Sequence, residues 1–281
     1  MSEATPQPEP KDAAWIAANR AMWDERVPIH AASEFYDQAG FRAGADRLNA
    51  FEVAEVGDVT GKRLVHLQCH MGQDTLSWAR RGTSRVVGLD FSEPAVEVAR
   101  GLAADLGFTA AEAEFVAADV YDAKAALPEA DYDIVYTGLG ALCWLPDIER
   151  WAEVASSLVA PGGFLYLAEF HPVSDALDWD TGNRFDRDYL GGTVQVYDEP
   201  GTYVDGDADT VNNLNYLRIH PIGEVVTALA ANGLRLEFLH EFDWTLFQQF
   251  GTLVKDEEGY RQPEGAPRAP LMYSLKATRP A

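Results

Sequence analysis

Two aspartates follow neighbouring predicted strands, at positions suited to binding a nucleotide. Asp90 ends the β-branched strand 85–89, and Asp119 follows the strand 114–117. Open parallel sheets bind ligands at the carboxyl ends of their strands, where one aspartate can accept hydrogen bonds from both ribose hydroxyls and another can reach an adenine amino group. A single aspartate in such a place is more often a helix cap or turn residue. Two of them, behind a turn that contains Gly72, favour a nucleotide-binding βαβ unit.

The turn after the first strand lacks the glycines that a dinucleotide requires. The fingerprint G-x-G-x-x-G lets backbone amides approach a pyrophosphate at a helix N-terminus. The corresponding positions here are Gln68, His70 and Gln73. An NAD(P)-dependent oxidoreductase stays a rival interpretation, but these bulky side chains favour a zwitterionic cofactor that carries no phosphate.

Over roughly residues 40–170 and the terminal strand pair, the chain resembles the class I S-adenosylmethionine-dependent methyltransferases. HLQCHMG, residues 66–72, stands where the family has approximately acid-x-G-x-G-x-G, with His66 in the place of the acid. The later segments match more closely: VVGLDFSEPAVEVAR carries Asp90, AADVYD carries Asp119, and DIVYTGLGALCWLPDIERW follows the fourth strand. LVAPGGFLYLAEFHP resembles the fifth-strand segment, and LMYSLKATRP resembles the reversed last strand of that fold.

The resemblance implies a Rossmann-like three-layer α/β/α sandwich, with a mostly parallel seven-stranded sheet whose last strand is antiparallel. It implies S-adenosyl-L-methionine as the cofactor and S-adenosyl-L-homocysteine as the product. His70, on the turn, is a further candidate for contact with the methionyl carboxylate. The complete set of expected cofactor-binding residues is Gln68, His70, Gly72, Gln73, Asp90, Phe91, Asp119, Val120, Thr137 and Leu139.

Two titratable residues in LAEFHP are candidates for catalysis. Glu169 and His171 flank the end of the fifth strand, and their i, i+2 spacing puts both side chains on one face while the strand persists. A base is needed only if the methyl acceptor must lose a proton. Each residue also has a structural interpretation, as a carboxylate that holds the lid and as a histidine that caps a turn.

Aromatic and histidine side chains in the variable segments predict a pocket for a small, largely apolar molecule. The acceptor atom stays open between oxygen, nitrogen and carbon. Carbon methylation of an alkene or prenyl diphosphate would pass through a carbocation, with Glu169 as the base; the negative charge of the chain opposes a diphosphate unless a divalent ion or Arg184, Arg187 and Arg218 offset it. A non-catalytic nucleotide-fold binding protein is the alternative of another class. The candidate substrate-binding residues are Trp23, His30, Tyr36, Trp144, Phe170 and Tyr197.

The charge balance bears on the partners of the protein. Lys plus Arg is 22 and Asp plus Glu is 45, for a formal net charge of −23. This charge repels phosphate backbones and anionic headgroups, so neither nucleic acid nor membrane is expected as a partner. The sequence shows no secretory signal, no apolar run of about 18 residues and no metal-ligand spacing among its six histidines. It predicts a cytoplasmic protein with a small-molecule substrate and no metal, and leaves open whether the protein is a homodimer.

Strands and helices alternate between residues 61 and 170, which predicts a parallel sheet covered on both faces. Before this region the pattern predicts helices at 13–27 and 45–56. After it come a stretch without helical period, a helix at 221–232 and two strands at 234–242 and 271–278 that form an antiparallel pair. The predicted organisation is a disordered tail at 1–12, an N-terminal helical cap at 13–60 and a core at 61–281 with a lid insertion at 172–218.

Overall fold

The computed structural model describes residues 12–190 and 192–281. The tail predicted for residues 1–12 lies outside this range, except for Asp12, which begins the first helix. The strands are β1 (Arg63–Leu67), β2 (Arg85–Asp90), β3 (Ala113–Ala117), β4 (Tyr132–Thr137), β5 (Val159–Phe170), β6 (Val194–Asp198), β7 (Leu214–Arg218), β8 (Arg235–Phe242), β9 (Trp244–Thr245), β10 (Val254–Lys255), β11 (Tyr260–Arg261) and β12 (Met272–Thr278). The helices are α1 (Asp12–Ala32), α2 (Gln38–Arg42), α3 (Ala50–Val56), α4 (Gln73–Arg80), α5 (Glu93–Asp105), α6 (Ala123–Ala126), α7 (Ile148–Leu158), α8 (Pro172–Ala176) and α9 (Ile222–Ala231), with 3₁₀ turns at Val120–Asp122 and Leu142–Trp144.

Seven strands form the central sheet in the order β3-β2-β1-β4-β5-β12-β8. The pairs among β1 to β5 are parallel, whereas β12 is antiparallel to both β5 and β8. The predicted fold class is therefore confirmed. The strand order reverses direction between β1 and β4, and ligands bind to such sheets at this switch point, beyond the carboxyl ends of the strands.

Both faces of the sheet are covered by helices. In β4 the consecutive residues Ile134, Val135 and Tyr136 are all fully buried. Successive side chains of a strand point to opposite faces of the sheet, so both faces must be covered. Val135 belongs to the core under α7 and α9, whereas Ile134 and Tyr136 belong to the core under α4 and α5. This double packing fixes the sheet as a rigid platform for the loops at its carboxyl edge.

The N-terminal helices differ from the sequence prediction. The helix predicted at 13–27 continues through Pro28 to Ala32, because burial of Val27 and His30 helps to offset the cost of about 3 kcal/mol for a proline inside a helix. The helix predicted at 45–56 begins only at Ala50, after the capping box of Asn49 and Glu52. Helix α2 was not predicted, since its five residues are too few to show a period.

The segment 172–218 contains α8 and the antiparallel hairpin of β6 and β7, and α1 packs against it. Asn19 of α1 bonds both backbone groups of Tyr216, donating to its carbonyl at 2.8 Å and accepting from its amide at 2.8 Å. The buried guanidinium of Arg26 donates to the carbonyls of Gly201 and Asn212, both at 3.0 Å. Whether this segment acts as a lid, and where the domain boundaries lie, stay predictions.

The last strand pair is antiparallel, as the sequence predicts. The loop between its strands also holds a small sheet in the order β10-β11-β9. Strands of two residues show no period in a sequence, so these three strands could not be predicted. Strand β5 covers most of the LVAPGGFLYLAEFHP segment, since it starts at Val159 and includes Pro161-Gly162-Gly163.

Candidate functional site

The turn after β1 keeps a glycine-like backbone at positions that are not glycine. Gln68, His70 and Gly72 all have left-handed backbone angles, with φ of 58°, 47° and 74°. A Cβ on Gly72 would lie 2.6 Å from the ring of Phe115 and 2.7 Å from Ala99, so no larger residue fits there. At Gln68 and His70 this conformation costs about 1–3 kcal/mol each, and such strain is concentrated at functional sites. The turn thus has the shape that three glycines would give it.

Two hydrogen bonds hold the strained residues in place. The side-chain amide of Gln68 donates to the carbonyl of Ala141, which follows β4, at 2.8 Å. The backbone amide of His70 donates to Asp90 Oδ2, at the end of β2, at 2.8 Å. The turn is therefore fixed to the carboxyl ends of the two neighbouring strands.

Asp90 is buried between the turn and the start of α5. Its Oδ1 accepts a hydrogen bond from the amide of Ser92, whose own side chain caps α5 by accepting from the amide of Ala95 at 3.3 Å. Burial raises the pKa of Asp90 to about 6, against the opposite effect of its two amide donors. Each carboxylate oxygen has a second lone pair, so Asp90 can still accept two hydrogen bonds from a ligand.

Three buried oxygen atoms around this turn have no hydrogen-bond partner within the described residues: Gln68 Oε1, Gln73 Oε1 and Thr137 Oγ1. Thr137 ends β4 opposite Leu67 of β1, and the side-chain amide of Gln73 donates to the carbonyl of Tyr36 at 2.8 Å. A buried oxygen without a partner costs about 1–3 kcal/mol. Three of them beside one turn indicate a place for a ligand with several hydrogen-bond donors.

The residues expected around an adenine lie on the other side of Asp90. Asp119 accepts a hydrogen bond from the amide of Tyr121 at 3.0 Å, and Val120 is buried in the core. Phe91 is half-buried, with the guanidinium of Arg20 lying 5.6 Å from the centre of its ring. A cavity of about 360 Å³ opens between the first turns of α1 and Asp119. The hydrogen bond from Tyr121 is the one expected if Asp119 is a turn residue. Asp119 also lines a cavity, as a ligand-binding residue would.

Four of the six candidate substrate residues come together with His70 in one cluster. His30 Nδ1 lies 3.1 Å from His70 Nε2, and His30 Nε2 lies 2.6 Å from the hydroxyl of Thr202 in the 172–218 segment. Burial lowers the pKa of His30 to about 4 and that of His70 to about 3, so both imidazoles are neutral at neutral pH. The aromatic rings that complete the cluster, packed at centroid distances between 5.2 and 5.5 Å, are those of Trp23, Tyr36 and Trp144.

The other two candidates, Phe170 and Tyr197, line a different cavity of about 100 Å³. This cavity lies between β5, α8 and the β6–β7 hairpin. The six predicted substrate residues therefore do not form a single pocket. Leu139, expected beside the cofactor, packs half-buried against the core under α4 and α5.

Glu169 is held by four backbone amides. Its Oε1 accepts from Gly140 at 2.6 Å and from Phe170 at 2.7 Å, and its Oε2 accepts from Ala141 at 2.8 Å and from Leu142 at 2.9 Å. Burial raises the pKa of Glu169 to about 7, and the amide donors limit this rise. This geometry favours the structural interpretation of Glu169, as an anchor, although here it anchors the loop after β4.

His171 also has partners on both ring nitrogens. Nδ1 accepts from the amide of Val173 at 3.1 Å, and Nε2 lies 2.9 Å from Glu241 Oε1. Because Nδ1 accepts, Nε2 carries the proton and donates to the carboxylate. His171 is thus the N-cap of α8, as its structural interpretation has it. A catalytic part for Glu169 or His171 stays a prediction.

Residues 65–163 match the family model described as a methyltransferase domain. This chain carries a methyltransferase domain. The match spans β1 to the early part of β5, including the left-handed turn, Asp90, Asp119 and Thr137. The resemblance to the class I S-adenosylmethionine-dependent methyltransferases is confirmed, and S-adenosylmethionine is the cofactor that agrees with it.

Solved structures share the fold of this methyltransferase domain. An S-adenosylmethionine-dependent methyltransferase from Mesorhizobium loti has 24% identity and a TM-score of 0.57, with 85% of this chain and 100% of that chain covered. A protein from Listeria monocytogenes described as an S-adenosylmethionine-dependent methyltransferase has 17% identity and a TM-score of 0.58, with coverages of 82% and 96%. The [4+2]-cyclase SpnF has 17% identity and a TM-score of 0.57, with coverages of 94% and 96%. A search of the curated proteins found no match.

Two residues that the sequence did not single out for chemistry line the same cavity as Phe170 and Tyr197. Burial raises the pKa of Asp175 to about 6, and that of His220 is lowered to about 4. Asp175 sits in a segment without helical period, and His220 precedes a proline, so neither stands in a recognisable motif. Only the packing of α8 and β7 against the methyltransferase domain brings them together.

Within the described part of the chain, no helix is long and apolar enough to cross a membrane.

Proposed function

We propose that the protein transfers a methyl group from S-adenosylmethionine to a small, largely apolar metabolite. The observation that carries this proposal is the convergence of the left-handed turn 68–72, the buried carboxylate of Asp90 and three unpaired oxygens at one edge of the sheet. S-adenosylmethionine supplies an electrophilic methyl group on a sulfonium and leaves as S-adenosylhomocysteine. The residues of the chain bind and orient the reactants, and positioning alone contributes much of the acceleration of a displacement reaction.

The chemistry of the side chains fits both ends of the cofactor. Asp90 would accept hydrogen bonds from the two ribose hydroxyls, as a carboxylate at the end of the second strand does in nucleotide-binding sheets. The methionyl ammonium carries three N–H donors, and Gln68 Oε1, Gln73 Oε1 and Thr137 Oγ1 are three buried oxygens that lack a donor. Phe91 and Asp119 would contact the adenine.

The acceptor would bind in the cavity between β5, α8 and the β6–β7 hairpin. Its volume of about 100 Å³ suits a small molecule. Its aromatic walls include Phe170, Trp179 and Tyr197, which favour an apolar body. A prenyl diphosphate is disfavoured, because Arg218 alone of the three candidate arginines lines this cavity; Arg184 is exposed, and Arg187 donates to the backbone carbonyls of Asp175 and Leu177.

Calorimetric titration with S-adenosylhomocysteine tests the proposal. Wild-type protein is expected to bind it, and Asp90→Asn is expected to bind at least about tenfold more weakly, since a hydrogen bond to a charged group is worth about 1.5–3 kcal/mol and 1.4 kcal/mol is a factor of ten. Asp105→Asn is the matched control, because Asp105 forms an exposed ion pair with Arg42 and loses the same charge.

The titration also separates the rival functions. No binding of S-adenosylhomocysteine, together with a change in NADH fluorescence on mixing, would support an oxidoreductase. Binding of neither molecule would refute cofactor-dependent catalysis at this turn. Because the shared fold also occurs in a protein described as a [4+2]-cyclase, the reaction itself needs mass spectrometry of a methylated product.

A further inference from the structure

The cavity between β5, α8 and the β6–β7 hairpin is lined by several hydrogen-bond acceptors. Outside the hairpin strands, its polar lining comes from Glu169, Asp175, His220 and Tyr273. The hairpin side contributes Gln195 and Tyr197, whose hydroxyl donates to Gln195 Oε1 at 2.8 Å, and Arg218. Which of these groups still have free hydrogen-bonding capacity determines the ligand that the cavity suits.

His220 lines this cavity and has an unpaired acceptor atom. The side chain is 6% exposed, and Nε2 lies 2.9 Å from the carbonyl oxygen of Leu145. A carbonyl oxygen only accepts, so Nε2 must carry the proton, and in the neutral ring Nδ1 is then a lone-pair acceptor. Nδ1 is buried and has no hydrogen-bond partner among the described residues. Burial lowers the pKa of His220, which keeps the ring neutral.

Asp175 offers a carboxylate with only one side-chain partner. Its Oδ1 accepts from the side-chain amide of Gln249 at 3.2 Å. Within residues 12–190 and 192–281, no arginine, lysine or histidine nitrogen lies within 4.0 Å of this carboxylate. Arg187 is near it but donates to backbone carbonyls and lies over the ring of Trp179 at 4.5 Å. Glu169 differs, because four backbone amides already donate to its two oxygens.

We infer that the methyl acceptor is a small primary or secondary amine that enters as its ammonium form and donates N–H bonds to Asp175 and His220. This inference rests on the proposed function. An ammonium brings several donors and one positive charge to two acceptors, of which one is a carboxylate without an ion-pair partner. A carboxylate or a diphosphate would instead place acceptors against Asp175 and His220, with Arg218 as the one cationic donor among the described lining residues, and an alcohol brings one donor and no charge.

Asp175 also has a part in the chemistry. An ammonium has no lone pair with which to attack, so it must first lose a proton. Asp175 takes one proton: an N–H bond breaks, its electron pair stays on nitrogen, and an O–H bond forms on the carboxylate. Burial raises the pKa of Asp175 to about 6, which places it closer to the range of a working base. The amine then gains the methyl group as an N–C bond forms and an S–C bond breaks with its electron pair on sulfur.

Three probes of one shape and different charge test the inference: benzylamine, benzyl alcohol and benzoate. Each is titrated by ligand-observed NMR against wild-type protein at neutral pH, with and without an excess of S-adenosylhomocysteine. Benzylamine is expected to bind at least tenfold more tightly than benzyl alcohol, and benzoate most weakly. In Asp175→Asn the preference for benzylamine over benzyl alcohol is expected to fall below threefold. Asp186→Asn, an exposed aspartate in the same segment, is the control that keeps it.

Several outcomes would overturn the inference. They are equal binding of the three probes, tightest binding of benzoate, no binding of any probe, or an unchanged amine preference in Asp175→Asn. The wild-type series needs no variant, so a failure of Asp175→Asn to fold leaves a decisive comparison. If wild type prefers benzylamine but does not bind S-adenosylhomocysteine, the amine site stands and the proposed methyl transfer fails. If S-adenosylhomocysteine binds and the amine preference is absent, the reverse holds.

Discussion

Replacing Glu169 by glutamine separates the two interpretations of this residue, as an anchor and as a base. Each carboxylate oxygen accepts from two backbone amides, among them those of Gly140, Ala141 and Leu142 in the loop after β4. In Glu169→Gln one oxygen becomes an NH₂ group, which donates and cannot accept. Two buried amide N–H groups then lose their acceptor, whichever way the side chain is turned.

The loss of these bonds predicts a large decrease in stability. A buried donor without a partner costs about 1–3 kcal/mol, so two of them lower the free energy of unfolding by about 2–6 kcal/mol. Urea unfolding followed by circular dichroism measures the change. Glu153→Gln, the same substitution at an exposed position of α7, is the control and is expected to change the free energy of unfolding by less than about 0.5 kcal/mol.

A residue that acts only as a base would behave differently. Glutamine keeps its shape, so the free energy of unfolding would stay at the wild-type value while turnover fell roughly 10²–10⁴-fold. Equal urea midpoints for Glu169→Gln, wild type and Glu153→Gln would therefore refute the anchoring argument. A loss of stability, together with the wild-type preference for benzylamine among the three probes, would support the anchoring argument.

Two further substitutions test the turn and the acceptor cavity. Gly72→Ala is expected to lower the free energy of unfolding, measured by urea unfolding, by about 2–5 kcal/mol, because its Cβ would meet Phe115 at 2.6 Å and Ala99 at 2.7 Å at a φ of 74°. The control Gly101→Ala, in open space on α5, should instead raise it by about 0.5–1 kcal/mol. Burial raises the pKa of Asp175 from 3.8 to about 6, so the folded wild type holds a proton that the unfolded chain has lost and becomes less stable as the pH rises through this window. Asp175→Asn does not titrate, so its unfolding free energy relative to wild type should rise by up to about 3 kcal/mol from about pH 4 to about pH 7; a constant difference across urea titrations at these pH values would contradict the assigned burial.

The elements of the core were predictable because their local signals agree with their packing. The alternation predicted between residues 61 and 170 is observed, with β1 to β5 separated in the chain by α4 to α7. Helix α7 has Asp147 as its N-cap, with its side chain accepting from the amide of Arg150 at 2.9 Å, and an apolar stripe that includes Trp151. The course of α1 through Pro28 was not predictable in this way, because contacts with residues far along the chain determine it.

The cofactor side of the site was predictable in part, because strand ends are visible in a sequence. Asp90 and Thr137 end β2 and β4, and both lie at the carboxyl edge of the sheet. The left-handed backbone at Gln68 and His70 was not predictable, since both residue types normally avoid this conformation and hydrogen bonds to Ala141 and Asp90 hold them in it. The sequence of the turn therefore differs from the glycine-rich family motif more than its backbone conformation does.

The loop after β4 links the two sides of the site. On the cofactor side, the side-chain amide of Gln68 holds the carbonyl of Ala141. On the acceptor side, Glu169 holds the amides of this loop and His220 bonds the carbonyl of Leu145. A displacement of the loop would therefore change both the left-handed turn and the acceptor cavity, and the anchors that prevent it come from three distant parts of the chain. This explains in physical terms why a carboxylate is buried at position 169. Four backbone amides point to this position, and a carboxylate is a side chain that accepts from all of them and donates to none.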